Sequence, residues 1–194
     1  MTAGRSPLGG ATPPQPLYDG RRVLAPLALS IIALAAPASA TAQALWRGLE
    51  AGASPDEVRR AHPDAAAPIA VATLADGETD DLVTHGIFWG DRLMEVRFFF
   101  REGKLASVQL TPAGGLPADS AANLQLARGA ADDVSAQYGA PYECGDKSFA
   151  DVSLFECKWI SQPIVVRLWY EDAAGQSPTL RIAFRKAGDV AYDF

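Results

Sequence analysis

Little in this chain is suited to covalent chemistry. It has two cysteines, two histidines and two methionines in 194 residues. The Gly-x-Ser-x-Gly elbow, the His-Glu-x-x-His helix, the phosphate-cradling glycine loop and the dinucleotide fingerprint are all missing. Nucleophilic, zinc and nucleotide chemistry therefore lack their usual signatures. Basic runs are missing too, and the formal net charge is -6. That argues against nucleic acid, because neutralising phosphates takes a basic footprint. The longest apolar run, Val23 to Ala36, has 14 residues, short of the about 20 that a membrane-spanning helix requires.

A run of that length has another use. Arg21 and Arg22 precede it, Pro37 ends it, and Ala38-Ser39-Ala40 and Ala40-Thr41-Ala42 offer two overlapping small-x-small cleavage sites. Residues 1–42 read as a leader and signal peptide, with an uncleaved anchor from Val23 to Ala44 as the alternative. Arg21-Arg22 leaves open whether export follows the general or the twin-arginine route. Residues 43–194 are expected as a single exported domain, periplasmic or secreted, with no stable membrane span after cleavage. Cleavage after Ala42 leaves 152 of the 194 residues and, with Arg5, Arg21, Arg22 and Asp19 gone, a charge of -8. Both cysteines, Cys144 and Cys157, lie in this part. Exported chains normally pair such cysteines, so one disulfide is expected, worth roughly 3 kcal/mol in the chain-entropy account.

The organising stretch is Trp89 to Leu110, a hairpin turning at Glu102-Gly103. Its first half is echoed later: a Trp, then Val96-Arg97-Phe98-Phe99-Phe100 in one place and Val166-Arg167-Leu168-Trp169-Tyr170 in the other. Helices are expected over Ala44–Glu50, from Ser54 with a capping-box Glu57 to near His62, and from Asp119 or Ser120 to Gly139. Strands are expected at Pro68–Leu74, Leu82–Trp89, on both arms of the hairpin, at Tyr142–Cys144, Val152–Ile160, Ile164–Tyr170 and Thr179–Arg185. The whole reads as an α+β fold. It is a tandem repeat, about 43–111 and 119–186, of a helical unit followed by a four-stranded antiparallel sheet, with the helices on one face.

Period-two alternation divides each strand between the two faces. Met94, Val96, Phe98, Phe100, Ile164, Val166, Leu168, Tyr170, Leu180, Ile182 and Phe184 are expected inside. Glu95, Arg97, Phe99, Arg101, Arg167, Trp169, Glu171, Arg181 and Arg185 are expected outside. Phe99 and Trp169 then sit at matching positions among Arg97, Arg101 and Arg167 on the face that should be wet. Aromatics and Arg are the residues enriched at binding hot spots, so these five are the candidate partner-binding site. The alternative is that the tail or the leading segment covers this face.

Other candidates are weaker. His62 ends a helix and reads as a favourable C-terminal charge. His85 alternates with apolar residues, and a periplasmic hydrolase using His85 and nearby carboxylates is the alternative function. Asp76, Glu78, Asp80 and Asp81 lack the order of a calcium loop and read as a solvated hairpin turn. No metal and no cofactor is expected.

The helical pair followed by aromatic strands resembles the β-lactamase-inhibitor-protein-like architecture, shared loosely with small outer-membrane assembly lipoproteins. Gly52, Ser54, Glu57, Val58 and Trp89 carry the resemblance in the first half, and Gly129, Asp133, Val134, Gly139, Pro141 and Trp159 in the second. It implies a non-enzymatic envelope protein that binds another envelope protein with its sheet face, as inhibitor or assembly scaffold.

Overall fold

The computed structural model describes residues 44–188. The leader, the signal segment and the cleavage site at Ala42 lie outside them, as does the tail from residue 189.

Ser54 begins the first helix, α1 (Pro55–Ala61), as its sequence dictates. The Ser54 hydroxyl accepts from Glu57 N while the Glu57 carboxylate takes Ser54 N at 2.7 Å, so two otherwise orphaned donors are satisfied. Three antiparallel strands follow, β1 (Thr79–Trp89), β2 (Arg92–Arg101) and β3 (Lys104–Pro112). The second helix, α2 (Ser120–Tyr138), is capped by Asp119, whose side chain accepts from Ala122 N, and ends at Gly139, where a φ of 86° suits only glycine at low cost. Then come β4 (Glu143–Phe149), β5 (Val152–Ser161), β6 (Ile164–Ala173) and β7 (Thr179–Lys186).

The seven strands form one antiparallel sheet in the order β1-β2-β3-β7-β6-β5-β4. This corrects the expected tandem of helical units each followed by a four-stranded sheet. Two meanders run from opposite edges and meet at the central β3–β7 ladder, where Val108 faces Phe184 and Leu110 faces Ile182. Two expected elements do not form. Ala44–Glu50 is a tight turn, not a helix: Trp46 and Leu49 exchange backbone hydrogen bonds of 3.2 and 2.9 Å around Arg47 and Gly48, both at positive φ. Gly48 weakens a helix here and no capping box offsets it as at Ser54, so the left-handed Arg47–Gly48 pair makes a turn instead. Pro68–Leu74 is not a ladder strand either; the segment from Ala66 to Thr73 pairs with β1 at the isolated bridges Ala66–Val83 and Thr73–Thr79.

Every residue that alternation placed inside on β2, β6 and β7 belongs to the buried core, and on β3 Val108 and Leu110 do so but Ala106, expected inside with them, does not. The core fills the space between one face of the sheet and the apolar sides of α1 and α2, with Val58, Ala127, Ala131 and Val134 facing Val96, Phe98, Val166 and Leu168. Two indoles lock α2 down: Trp89 Nε1 donates to Asp133 Oδ2 at 2.9 Å, and Trp159 Nε1 donates to Ser135 Oγ at 3.2 Å. Asp133 is exposed, and its carboxylate anchors the Trp89 indole from the solvent side of the helix.

His62 departs from expectation. It stacks on Trp46 at 5.2 Å and lies 5.5 Å from Phe98, and its Nε2 is buried with no partner among the described residues. Burial, aided by the positive charge of Arg47, holds its pKa below the ordinary 6.5, so it is a neutral packing ring and not a charge on the helix end. The unfolded chain then binds the proton more readily. Stability carried by neutral His62 is complete above pH 6.5 and is lost as pH falls below that value. Denaturant titrations between pH 5 and pH 7.5 should show this loss in the native protein and not in His62→Phe; equal slopes would refute it.

Candidate functional site on the outer face

The face of the sheet turned away from the helices divides into a closed half and an open half. Asp76, Glu78 and Asp80 close the first. Glu78 and Asp80 are fully buried, which corrects the reading of this acidic loop as a solvated turn. Glu78 takes Arg101 Nη2 at 3.0 Å, Arg185 Nη2 at 2.7 Å and the Ser107 hydroxyl at 2.8 Å. Asp76 reaches the same two arginines at 3.2 and 2.8 Å. Asp80 pairs with Arg97 at 2.5 Å and accepts from Ala72 N, and Arg97 also donates to Glu95 at 2.7 Å.

Within this ion cluster, burial pushes the Glu78 carboxyl up, against the pull of Ser107 and Arg185. Burial opposes the charge on Asp76 as well, but the hydrogen bond and charge of Arg185 outweigh it and leave Asp76 lowered. Burial likewise opposes the charge on Arg97, and Glu95 and Asp80 more than restore it.

Phe99 lies in this closed half. It faces away from the helix-side core, as alternation requires, yet it is 1% exposed. It sits between Asp80 on β1 and Ser107 on β3, and the carboxylate of Glu78 is hydrogen-bonded to that same Ser107. The loop carrying Glu78 therefore closes over it. Next to it a bulge puts Phe100 opposite Leu105, leaving Ala106 as the extra residue, so Leu105 takes the core position that simple alternation gave to Ala106. Phe99 is accordingly sealed, and the partly exposed Arg97 and Arg101 around it are held in ion pairs. The cover over Phe99 is the acidic loop; the tail and the leading segment, the alternative covers, lie outside the described residues.

The open half belongs to β5, β6 and β7. Trp169 is half-buried at its centre, directly across from Glu156 on β5 and Arg181 on β7. The guanidinium of Arg181 lies 4.9 Å over its ring centroid and that of Arg167 lies 5.4 Å over it, distances at which the ring quadrupole attracts a cation. Arg167 is paired with Glu156 at 2.6 Å. Glu156 also takes Lys147 at 3.1 Å; burial opposes its charge, and the two cations more than compensate and lower its pKa. Arg181 has no carboxylate within 4.0 Å among the described residues. Burial, followed by the charge of Arg97, lowers its pKa from 12.5.

These side chains border a hollow of about 500 Å³ walled by Leu74, Gln109, Leu154, Trp169, Glu171 and Arg181, a volume within the range of ligand sites. Gln109 is 8% exposed, and its amide makes no hydrogen bond among the described residues.

The five residues read from the sequence as one site are thus split. Trp169 and Arg167 border the open hollow, while Phe99, Arg97 and Arg101 are engaged under the acidic loop. Arg181, assigned to the outer face by alternation, and Gln109 are the functional candidates that sequence reasoning passed over. His85 is exposed on edge strand β1, with Nδ1 3.6 Å from Glu95 Oε2, a carboxylate that Arg97 already holds. Comparison with family models, with curated proteins and with solved structures finds no match to this chain.

Proposed function

We propose that this is an exported envelope protein that acts by binding another envelope protein through the open half of its sheet, as an inhibitor or an assembly scaffold. The observation that carries the reading is Trp169. It is a large aromatic between two guanidinium groups on a face that, among the described residues, no helix covers, beside a hollow where Arg181 has no carboxylate partner among those residues. Aromatic and Arg anchors next to a pocket are the usual centre of a binding hot spot. The leader-like first 42 residues and the Cys144–Cys157 disulfide support export, and no helix among the described residues is long and apolar enough to cross a membrane.

The immobilised protein should retain a discrete partner from envelope extract, and Trp169→Ala should reduce that capture at least about tenfold while moving the melting temperature by no more than about 4 °C. Undiminished capture by Trp169→Ala would remove this face from consideration. A melting temperature lowered far beyond that would make Trp169 a core residue.

A further inference from the structure

Resting on that reading, we infer that the hollow beside Trp169 is a carboxylate-binding site, and that what enters it is an Asp or Glu side chain of an acidic peptide segment carried next to an apolar residue. Two independent observations converge. Arg181 borders the hollow with its guanidinium against Trp169 and no ion-pair partner within 4.0 Å among the described residues. Its neighbours Arg97, Arg101 and Arg185 all have acids assigned to them. Gln109 is more than nine-tenths buried, lines the same hollow, and makes no side-chain hydrogen bond among the described residues, yet its amide atoms are not enclosed and so open on the hollow. A ligand entering there can hydrogen-bond both polar ends of that amide. Arg's planar fork matches a carboxylate, and Trp169, Leu74 and Leu154 provide the apolar wall for the neighbouring side chain.

The remaining charge narrows the ligand further. Arg167, Arg185 and Asp76 also line the hollow, but Glu156 holds the first and the other two hold each other. Glu171 lies diagonally from Arg181, given the pairs Trp169–Arg181 and Glu171–Thr179, and has no ion pair among the described residues. It disfavours a dianion such as phosphate and suits a donor instead. A peptide brings both parts, one carboxylate for Arg181 and backbone N–H groups for Glu171 and Gln109.

The test follows the Trp169 indole N–H resonance, assigned with Trp169→Phe, during titration with acetyl-Phe-Glu-amide and with its neutral counterpart acetyl-Phe-Gln-amide. The acidic peptide should bind at least about tenfold more tightly than the neutral one, and Arg181→Gln should abolish that difference. Arg181→Lys should recover only part of it. Inorganic phosphate should leave the resonance in place.

Equal affinity for the two peptides on the native protein overturns the proposal, whatever the variants do, so a misfolded Arg181→Gln would not shield it. An acid preference that survives in a folded Arg181→Gln overturns it too. Carboxylate selectivity without any captured partner would leave the site standing and sink the binding-module reading. Partner capture that depends on Trp169 without carboxylate selectivity would do the reverse.

Discussion

Glu78→Ala should destabilise the protein by about 3–5 kcal/mol, the cost typical of removing one member of a buried ion pair and leaving the other uncompensated. Glu78 has no exposed surface, and Arg185, which it shares with Asp76, is 6% exposed. Truncation would take a carboxylate from Arg185 and from the half-exposed Arg101, and it would strip the Ser107 hydroxyl of its acceptor. It would also remove the link that ties the loop around Asp76 to β3 and β7, and so open the cover over Phe99.

Glu78→Gln should cost less, because an amide can still accept from Ser107 while losing the charge. Chemical denaturation of both variants checks the order, and a loss under about 1 kcal/mol for Glu78→Ala would mean that the cluster is dispensable. Acid should act through the other carboxylate. Asp76 has a folded pKa below its ordinary 3.8, so the stability it contributes is present above that pH and lost as the pH falls below it. Glu78, whose pKa is raised, takes up its proton more readily folded than unfolded and adds nothing to this acid loss.

The same cluster marks how far the sequence could be read. Alternation assigned the inner face correctly along β2, β6 and β7, because Val96, Phe98, Val166, Leu168, Ile182 and Phe184 each follow a strict period of two and only one face meets the helices. The caps of α1 and α2 were legible for an equally local reason: Ser54 with Glu57, and Asp119 with Gly139, act within one turn of their own helix.

What could not be read locally was which outward residues would stay wet. Phe99 and Trp169 follow the same sequence pattern, and their fates diverge because a loop 20 residues before Phe99 folds back over one and not the other. That loop looked like a solvated turn since its acids have no local partners. Their partners are Arg97 and Arg101 on β2 and Arg185 on β7, more than 100 residues away. Arg181 was on the page from the start, but only the count of acids against arginines in three dimensions distinguishes it from its paired neighbours. The tandem of four-stranded units failed on a similar point. Pro68–Leu74 has strand-like composition, and its neighbourhood pairs with β1 at two isolated bridges and not in a ladder, so the first meander has three strands and the sheet seven.

The second large effect concerns the disulfide. Cys144 and Cys157 stand directly opposite each other on β4 and β5, and they are bonded. β4 is the edge of the sheet, paired on one side only, and nearly all its residues are exposed. Its attachment depends on the β5 ladder and on this bond. A cross-link closing a loop of this length, with a separation of 13, restricts the unfolded chain by roughly 3 kcal/mol. The double variant Cys144→Ala with Cys157→Ala should therefore lose about that much. Part of the loss belongs to packing, since Cys157 is fully buried in the core, so reducing the native protein separates the terms by removing the bond while keeping both sulfurs.

Amide exchange should then speed up first in residues 143–149, ahead of the β3–β7 ladder. Uniform acceleration would show that the bond holds the whole domain and not its edge. The dependence also bears on where the protein works. A chain that relies on this bond keeps it where thiols are oxidised and not in a reducing cytoplasm. Protein recovered from its native compartment should show no reactive thiol, and two reactive thiols there would count against export.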